Sequence, residues 1–170
     1  MAVEEMISRE KIAERVAELA ARISEDYSGK EILAVCILKG SLYLAADITR
    51  LLSVPCRISF IKVSSYEGTS SSGKVNIEYG SELDISGRDV LIIEDIIDTG
   101  TTLAFLKKLY AEKSPASLKI LTLLDKPSRR TADIKPDYCG FVIEDKFVVG
   151  YGMDYNDDYR NLDFIGIYSE

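Results

Sequence analysis

Histidine is missing from the chain altogether. Its absence excludes Ser-His-Asp and Cys-His catalysis and imidazole-ligated metal, so acid/base work falls to Asp, Glu, Lys or Tyr. Cysteine is scarce: Cys36, Cys56 and Cys139 sit in apolar, strand-like stretches, and no CxxC pair occurs. An odd number of buried-type thiols suits a reducing compartment better than a disulfide framework or a thiolate metal site. Long apolar runs are lacking as well. Nothing approaches the roughly 20 residues of a membrane span, and the first residues lack a signal peptide's apolar core. A cytoplasmic protein with no membrane partner is expected. Basic charge is in deficit, 21 Lys and Arg against 28 Asp and Glu, for a net charge of −7. That balance argues against non-specific binding to nucleic acid.

What is present is ordinary for a globular fold. The hydrophobic fraction is 46% and the charged fraction 29% over 170 residues. That length suits a single domain over residues 1–170, able to bury roughly 70% of its unfolded surface. No internal repeat, low-complexity tract or linker interrupts it.

Apolar periodicity sets the expected elements. Ile12, Val16, Leu19 and Ile23 recur at helical spacing after a candidate Ser8 cap. Residues 31–38 read as a buried strand, 41–52 as a helix and 57–64 as a strand. Residues 65–74 are polar and rich in Ser and Gly, the pattern of a surface loop, with a short strand over 75–79 returning from it. A strand over 89–94, a helix over 101–113 and a strand over 118–124 follow. Short strands are expected over 138–143, 148–151 and 164–168. Strands alternating with helices imply an α/β fold: an open, mainly parallel sheet flanked by helices, with ligands at the carboxyl ends of the strands.

One segment concentrates the chemistry: Val90-Leu91-Ile92-Ile93-Glu94-Asp95-Ile96-Ile97-Asp98-Thr99-Gly100-Thr101-Thr102-Leu103. An apolar run of the kind buried on both faces of a sheet ends in adjacent carboxylates. Two acids at such a place are costly unless something compensates their desolvation. A Gly/Thr-rich turn then leads into a helical pattern. Carboxylates can hold a divalent cation or hydroxyls, and amides at a helix start can hold a phosphate. A sugar phosphate carrying a metal-bound pyrophosphate would use both halves at once.

The segment resembles the phosphoribosyl pyrophosphate (PRPP) signature of the phosphoribosyltransferases, with acid pair, third acid and Thr-Gly-Thr-Thr in order. Three further stretches strengthen the resemblance: Ile37-Leu38-Lys39-Gly40-Ser41, Leu123-Leu124-Asp125-Lys126-Pro127-Ser128-Arg129-Arg130, and residues 145–155 from Asp145-Lys146-Phe147 to Asp154-Tyr155. Together they resemble the hypoxanthine-guanine branch of the family from about residue 32 onward. The resemblance implies the type I phosphoribosyltransferase fold with a small base-binding hood, and a homodimer or homotetramer. It implies Mg²⁺ as cofactor, PRPP and a 6-oxopurine as substrates, and IMP or GMP and pyrophosphate as products. A divalent cation would also reconcile an acidic chain with a strongly anionic substrate.

Residue by residue, the resemblance gives Glu94 and Asp95 the ribose hydroxyls and the metal, and Asp98 the role of general base toward a purine ring proton. Thr99, Gly100, Thr101 and Thr102 would wrap the 5′-phosphate. Thr101 stands where the family often has lysine, which should alter the phosphate contacts modestly. Lys39 and Gly40 would form the pyrophosphate loop, where the peptide before the lysine is often cis in the family. Ser65 and Tyr66 would belong to a lid that keeps water from the reacting sugar. Lys126, with donors and no acceptor, would select a 6-oxo over a 6-amino group. Phe147 would stack on the purine and the Val148 backbone would read its edge. Asp154 would lie near a second metal and the pyrophosphate, with Arg160 as an anion partner.

Two alternatives stay open at this point. A xanthine-preferring enzyme is one, because little in the sequence reads position 2 of the ring. A PRPP-sensing regulatory protein that binds nucleic acid is the other, and the net charge of −7 counts against it.

Overall fold

The computed structural model describes residues 2–65 and 75–169. In chain order these form β1 (Ala2–Ile7), α1 (Arg9–Asp26), β2 (Ile32–Leu38), α2 (Leu42–Leu51), β3 (Cys56–Ser65) and β4 (Val75–Tyr79). Then come β5 (Asp89–Ile97), α3 (Thr101–Ala111), β6 (Ser117–Asp125), a 3-10 turn (Pro127–Arg129), β7 (Tyr138–Val142), β8 (Val148–Val149) and β9 (Ile165–Ser169). Six strands make one sheet in the order β4-β3-β2-β5-β6-β7, parallel except for β4, which runs antiparallel to β3. A second, antiparallel sheet has the order β1-β9-β8.

The central strands are apolar throughout because both their faces are covered. Along β2, Ile32, Ala34 and Cys36 join one core with α1 and α2, while Leu33, Val35 and Ile37 join another with α3. The same alternation runs through Val90–Ile93 of β5 and then breaks at the acid pair. Ile96 packs on the first core and Ile97 on the second, one residue out of phase with the strand before them. Helix α1 buries Ile12, Val16, Leu19 and Ile23, the expected stripe, and the Ser8 hydroxyl accepts the Lys11 amide at its start.

Two expectations need correction, and one strand was not foreseen. The strand expected over 89–94 continues to Ile97, so Asp95 as well as Glu94 lies within β5. The strand expected over 148–151 stops at Val149, because Gly150, Tyr151 and Gly152 turn the chain at φ of +96°, +48° and +103°. Strand β1 had no counterpart in the sequence reading. Its short, acidic run forms a strand only by pairing with β9 at the opposite end of the chain.

Topology fixes where a site can form. From β2 the chain crosses through α2 to β3 on one side; from β5 it crosses through α3 to β6 on the other. The two crossovers leave the adjacent strands β2 and β5 in opposite directions, opening a crevice at their carboxyl ends. That crevice receives residues 38–41 from β2 and residues 94–100 from β5.

Candidate active site

Two cavities open at this crevice. The smaller, of about 120 Å³, is lined by Glu94, Asp98 and residues 99–103. The larger, of about 210 Å³, is lined by Asp95, Asp98, Lys126, Phe147, Val148 and Asp154, with Ile96 and Met153 completing it. Asp98 and Ile96 line both, so the two cavities share a wall. The alternation of β5 accounts for the division, since neighbouring strand residues point to opposite faces and Glu94 falls in one cavity and Asp95 in the other.

The smaller cavity is built as an anion cradle. Gly100 takes φ of +82° ahead of α3, and a Cβ there would run into Ile134 and Arg130, so both conformation and space require glycine. The first intrahelical bond of α3 runs from the Ala104 amide to Gly100 O at 2.9 Å. The amides ahead of it belong to the cavity-lining run, at the positive end of the helix dipole. The Thr99 and Thr101 hydroxyls sit 3.2 Å apart beside them. Behind the turn, Thr99 O accepts from the Thr131 and Ala132 amides, which pins it to the loop after β6.

Glu94 and Asp95 are half-buried neighbours. Glu94 accepts from the Asp95 amide at 3.1 Å, and Asp95 from the Ile96 amide at 2.7 Å. Burial, and then the charge of Asp95, pushes the Glu94 carboxyl well above the usual carboxylate range. Asp95 is raised too, chiefly by burial, with hydrogen bonds and the Arg160 charge opposing. The Asp95 carboxylate also occupies the space a side chain on Gly40 would need, and Gly152 lies as tightly against Gly40 O. The Lys39-Gly40 loop is thereby clamped between β5 and the turn after β8. The Leu38–Lys39 peptide is cis.

Around Arg160 the charges form a network. Its guanidinium donates to Gly152 O at 2.7 Å and to Asp157 at 2.9 Å and forms an ion pair with Asp154 at 2.8 Å, while Asp157 also accepts from Lys39 at 2.8 Å. Lys39, followed by Arg160, holds the Asp157 carboxyl down at about 2. Arg160 Nε is buried without a partner among the described residues, a donor left for a ligand or water.

In the larger cavity Lys126 is 7% exposed, its amide held by Ile97 O and its ammonium 3.8 Å from Asp145. Phe147 is 52% exposed and stands edge-on to Tyr155 and Tyr168, which fixes its ring while leaving surface for a planar ligand. Val148 is buried in β8. Asp98 accepts from Arg129 Nε at 3.1 Å, and Arg130 bonds Asp98 O, Ile134 O and the Asp125 carboxylate.

Of the site residues expected from the sequence, Glu94, Asp95, Asp98, Thr99, Gly100, Thr101, Thr102, Lys126, Phe147, Val148 and Asp154 line these cavities. Gly40 lies against Asp95 and Gly152, Arg160 against Asp154 and Gly152, and Lys39 against Asp157. Ser65 ends β3, and Tyr66 of the expected lid lies outside the described residues. Sequence reasoning missed Met153, Asp157 and Arg129. Met153 and Arg129 both lie inside quoted motifs, but the partners of Arg129, Asp98 and Asp145, come from elsewhere in the chain. No group of three or more His, Cys, Asp or Glu among the described residues is arranged to hold a metal. Asp95 and Asp154 share the larger cavity as hard oxygen donors. Two carboxylates fit a magnesium ion that takes its other oxygens from substrate phosphates and water. Larger cavities, one of about 420 Å³ lined by Ala13, Val16, Asp47, Arg50 and Leu51, run along α1 and α2 and contain none of these groups. No described helix is long and apolar enough to cross a membrane.

Comparison with known proteins agrees with this geometry. The phosphoribosyl transferase domain family matches residues 3–156. A hypoxanthine-guanine phosphoribosyltransferase of Streptococcus pneumoniae is 46% identical over 97% of this chain and 92% of its own length. The Bacillus subtilis enzyme of that name is 47% identical over 95% of this chain and 91% of its own. A crystal structure of a hypoxanthine-guanine phosphoribosyltransferase from Bacillus anthracis, with a HEPES molecule in its active site, superposes with a TM-score of 0.93. It shares 44% identity and covers 98% of both chains. A Staphylococcus aureus hypoxanthine phosphoribosyltransferase also gives 0.93, at 46% identity over 98% of this chain and 91% of its own. Family signature, relatives and superposable structures converge: the chain belongs to the phosphoribosyltransferase family, among the hypoxanthine-guanine phosphoribosyltransferases.

Proposed function

We propose that this protein transfers 5-phosphoribosyl from PRPP to hypoxanthine or guanine, giving IMP or GMP and pyrophosphate, as a step of purine salvage. One observation carries the reading: Asp98 lies on the wall shared by an anion cradle at a helix start and a cavity floored by a buried lysine. A 5′-phosphate in the first and a purine in the second would bring sugar and base together beside that carboxylate.

Thr99, Gly100, Thr101 and Thr102 hold the 5′-phosphate, and Glu94 and Asp95 take the ribose hydroxyls. Lys39, Gly40 and Arg160 receive the pyrophosphate. Lys126 donates to the 6-oxo group, Phe147 stacks on the ring, and the Val148 backbone reads its edge. In the transfer, a ring nitrogen of the base bonds to C1 of the ribose as the C1–O bond to pyrophosphate breaks. The bonding pair leaves on the pyrophosphate oxygen, and the base's ring proton passes to the Asp98 carboxylate. Fixed cations aimed at the leaving group supply stabilisation where negative charge develops. Asp95 and Asp154, with Glu94 adjacent, would hold Mg²⁺, whose contribution when bound is neutralisation of phosphate charge. The family resemblance alone assigns Ser65 and Tyr66 to a lid, and Tyr66 lies outside the described residues.

The reading extends to the whole chain as a single domain, supported by one core cluster that spans both sheets. Self-association as a dimer or tetramer is supported by apolar side chains left exposed on α2 and β3, among them Leu42, Leu51, Ile58 and Phe60. The three unpaired cysteines support a cytoplasmic location.

The test is pyrophosphate release with PRPP and Mg²⁺, offering hypoxanthine, guanine, xanthine and adenine separately. Turnover with hypoxanthine or guanine but not adenine is expected. Turnover with xanthine alone would replace the substrate assignment. Silence with all four bases, in protein that still binds PRPP, would overturn the reading in favour of a PRPP-sensing role.

A further inference from the structure

We propose that Arg129 is a positioning residue for the proton transfer, bridging Asp98 to Asp145 and through it to the base-reading Lys126. The inference rests on the reading of Asp98 as proton acceptor. Arg129 Nε lies 3.1 Å from Asp98 Oδ1, and its NH1 lies 3.6 Å from Asp145 Oδ2. The other oxygen of Asp145 faces Lys126 Nζ at 3.8 Å. Charges therefore alternate between two residues that line the base cavity, Lys126 and Asp98: ammonium, carboxylate, guanidinium, carboxylate. The group that orients the purine and the group that takes its proton are the two ends of this chain.

The neighbouring arginine shows what a purely structural role looks like here. Arg130 is mostly covered and bonds two backbone carbonyls and the Asp125 carboxylate, tying the 3-10 turn to β5 and β6. Arg129 is about half exposed, and its charged contacts are the carboxylates of Asp98 and Asp145. Asp98 is 43% exposed near the end of β5, so a rigid planar donor on one of its oxygens restricts its rotation. The second oxygen stays available for the base. A general base works only when held within hydrogen-bond reach of its proton. A lysine at 129 could neutralise Asp98 but could not span both carboxylates with a planar fork.

The test is a double-mutant cycle read by single-turnover rates, with PRPP and hypoxanthine affinities measured in parallel. Arg129→Ala is expected to lower the single-turnover rate by about 10- to 100-fold, with PRPP affinity changed less than about twofold. Arg129→Lys is expected to recover part of that loss. In an Asp98→Asn background the same Arg129→Ala change is expected to cost less than about twofold, because the group it positions is gone. Arg129→Gln, which keeps the stem and donors but not the charge, serves if the alanine variant folds poorly. Equal losses in both backgrounds, or a loss confined to PRPP affinity, would overturn the inference. An Asp98→Asn protein that turns over normally would instead overturn the proton-acceptor reading. A crippled Asp98→Asn beside an unimpaired Arg129→Ala would overturn only the positioning role.

Discussion

Lys126 is the residue whose chemistry narrows the substrate most. It is a buried cation with donors alone, lining the cavity that Phe147 partly closes. A 6-oxo group satisfies it, and a 6-amino group leaves it unpaired at the cost of an unmade buried bond. Lys126→Met, similar in length but without donors, is expected to shrink the hypoxanthine-over-adenine preference in kcat/KM by on the order of 100-fold or more. An unchanged preference would place the discrimination elsewhere. Residue types with a distinctive chemistry were legible in the sequence when they stood in contiguous runs, as Glu94 to Thr102 do. Arg129 and Asp157 were not, because their meaning comes from partners such as Asp98 and Lys39, which are 31 and 118 positions away. No local pattern encodes a contact of that separation.

Among the elements, those with a strong internal period were plain in advance. The stripe on α1 needs only its own spacing, and β2 and β5 only their unbroken apolar runs. Strand β1 differs, since Ala2-Val3-Glu4-Glu5-Met6-Ile7 has no clean alternation and owes its conformation to β9. Its one buried residue, Ile7, packs in the core shared by both sheets. Because β9 also carries β8, the strand with Val148, this distant hairpin-like sheet supports the base cavity. Ile7→Ala is expected to cost about 2–5 kcal/mol. In a chain of this size that is a fall in Tm of roughly 2–4 °C per kcal/mol. The loss of affinity is expected to be larger for hypoxanthine than for PRPP, whose cradle stands on β5 and α3. A melting temperature unchanged by the substitution would mean that β1 does not brace the second sheet.

For the whole molecule, the fold depends on keeping several phenols and a thiol out of water. Burial pushes Tyr27 and Tyr110 up to about 12, and the Cys36 thiol to about 12 as well. Tyr138 and Tyr151 are raised further by burial together with the carboxylates of Asp26 and Asp47 that accept their hydroxyls. In the unfolded chain the phenols lose their protons from about pH 10 and the thiol from about pH 8.5. Between those values and the native ones, the unfolded state holds fewer protons, so stability falls as pH rises. Tyr27 and Tyr110 are each expected to withdraw about 2–3 kcal/mol by pH 12. Melting temperature should therefore drop steeply between about pH 9 and 12, together with the rise of phenolate absorbance. A melting temperature unchanged to pH 12 would show that these groups are not sealed by the core.

The central claim is that sugar and base meet at the wall shared by the two cavities, with Asp98 taking the proton. The most direct test is the single-turnover rate of Asp98→Asn with PRPP and hypoxanthine, measured beside the Kd for PRPP. A fall in rate of about 100-fold or more with PRPP affinity nearly unchanged is expected for loss of a positioned base. Equal losses in rate and affinity, or a rate close to that of the parent protein, would contradict it.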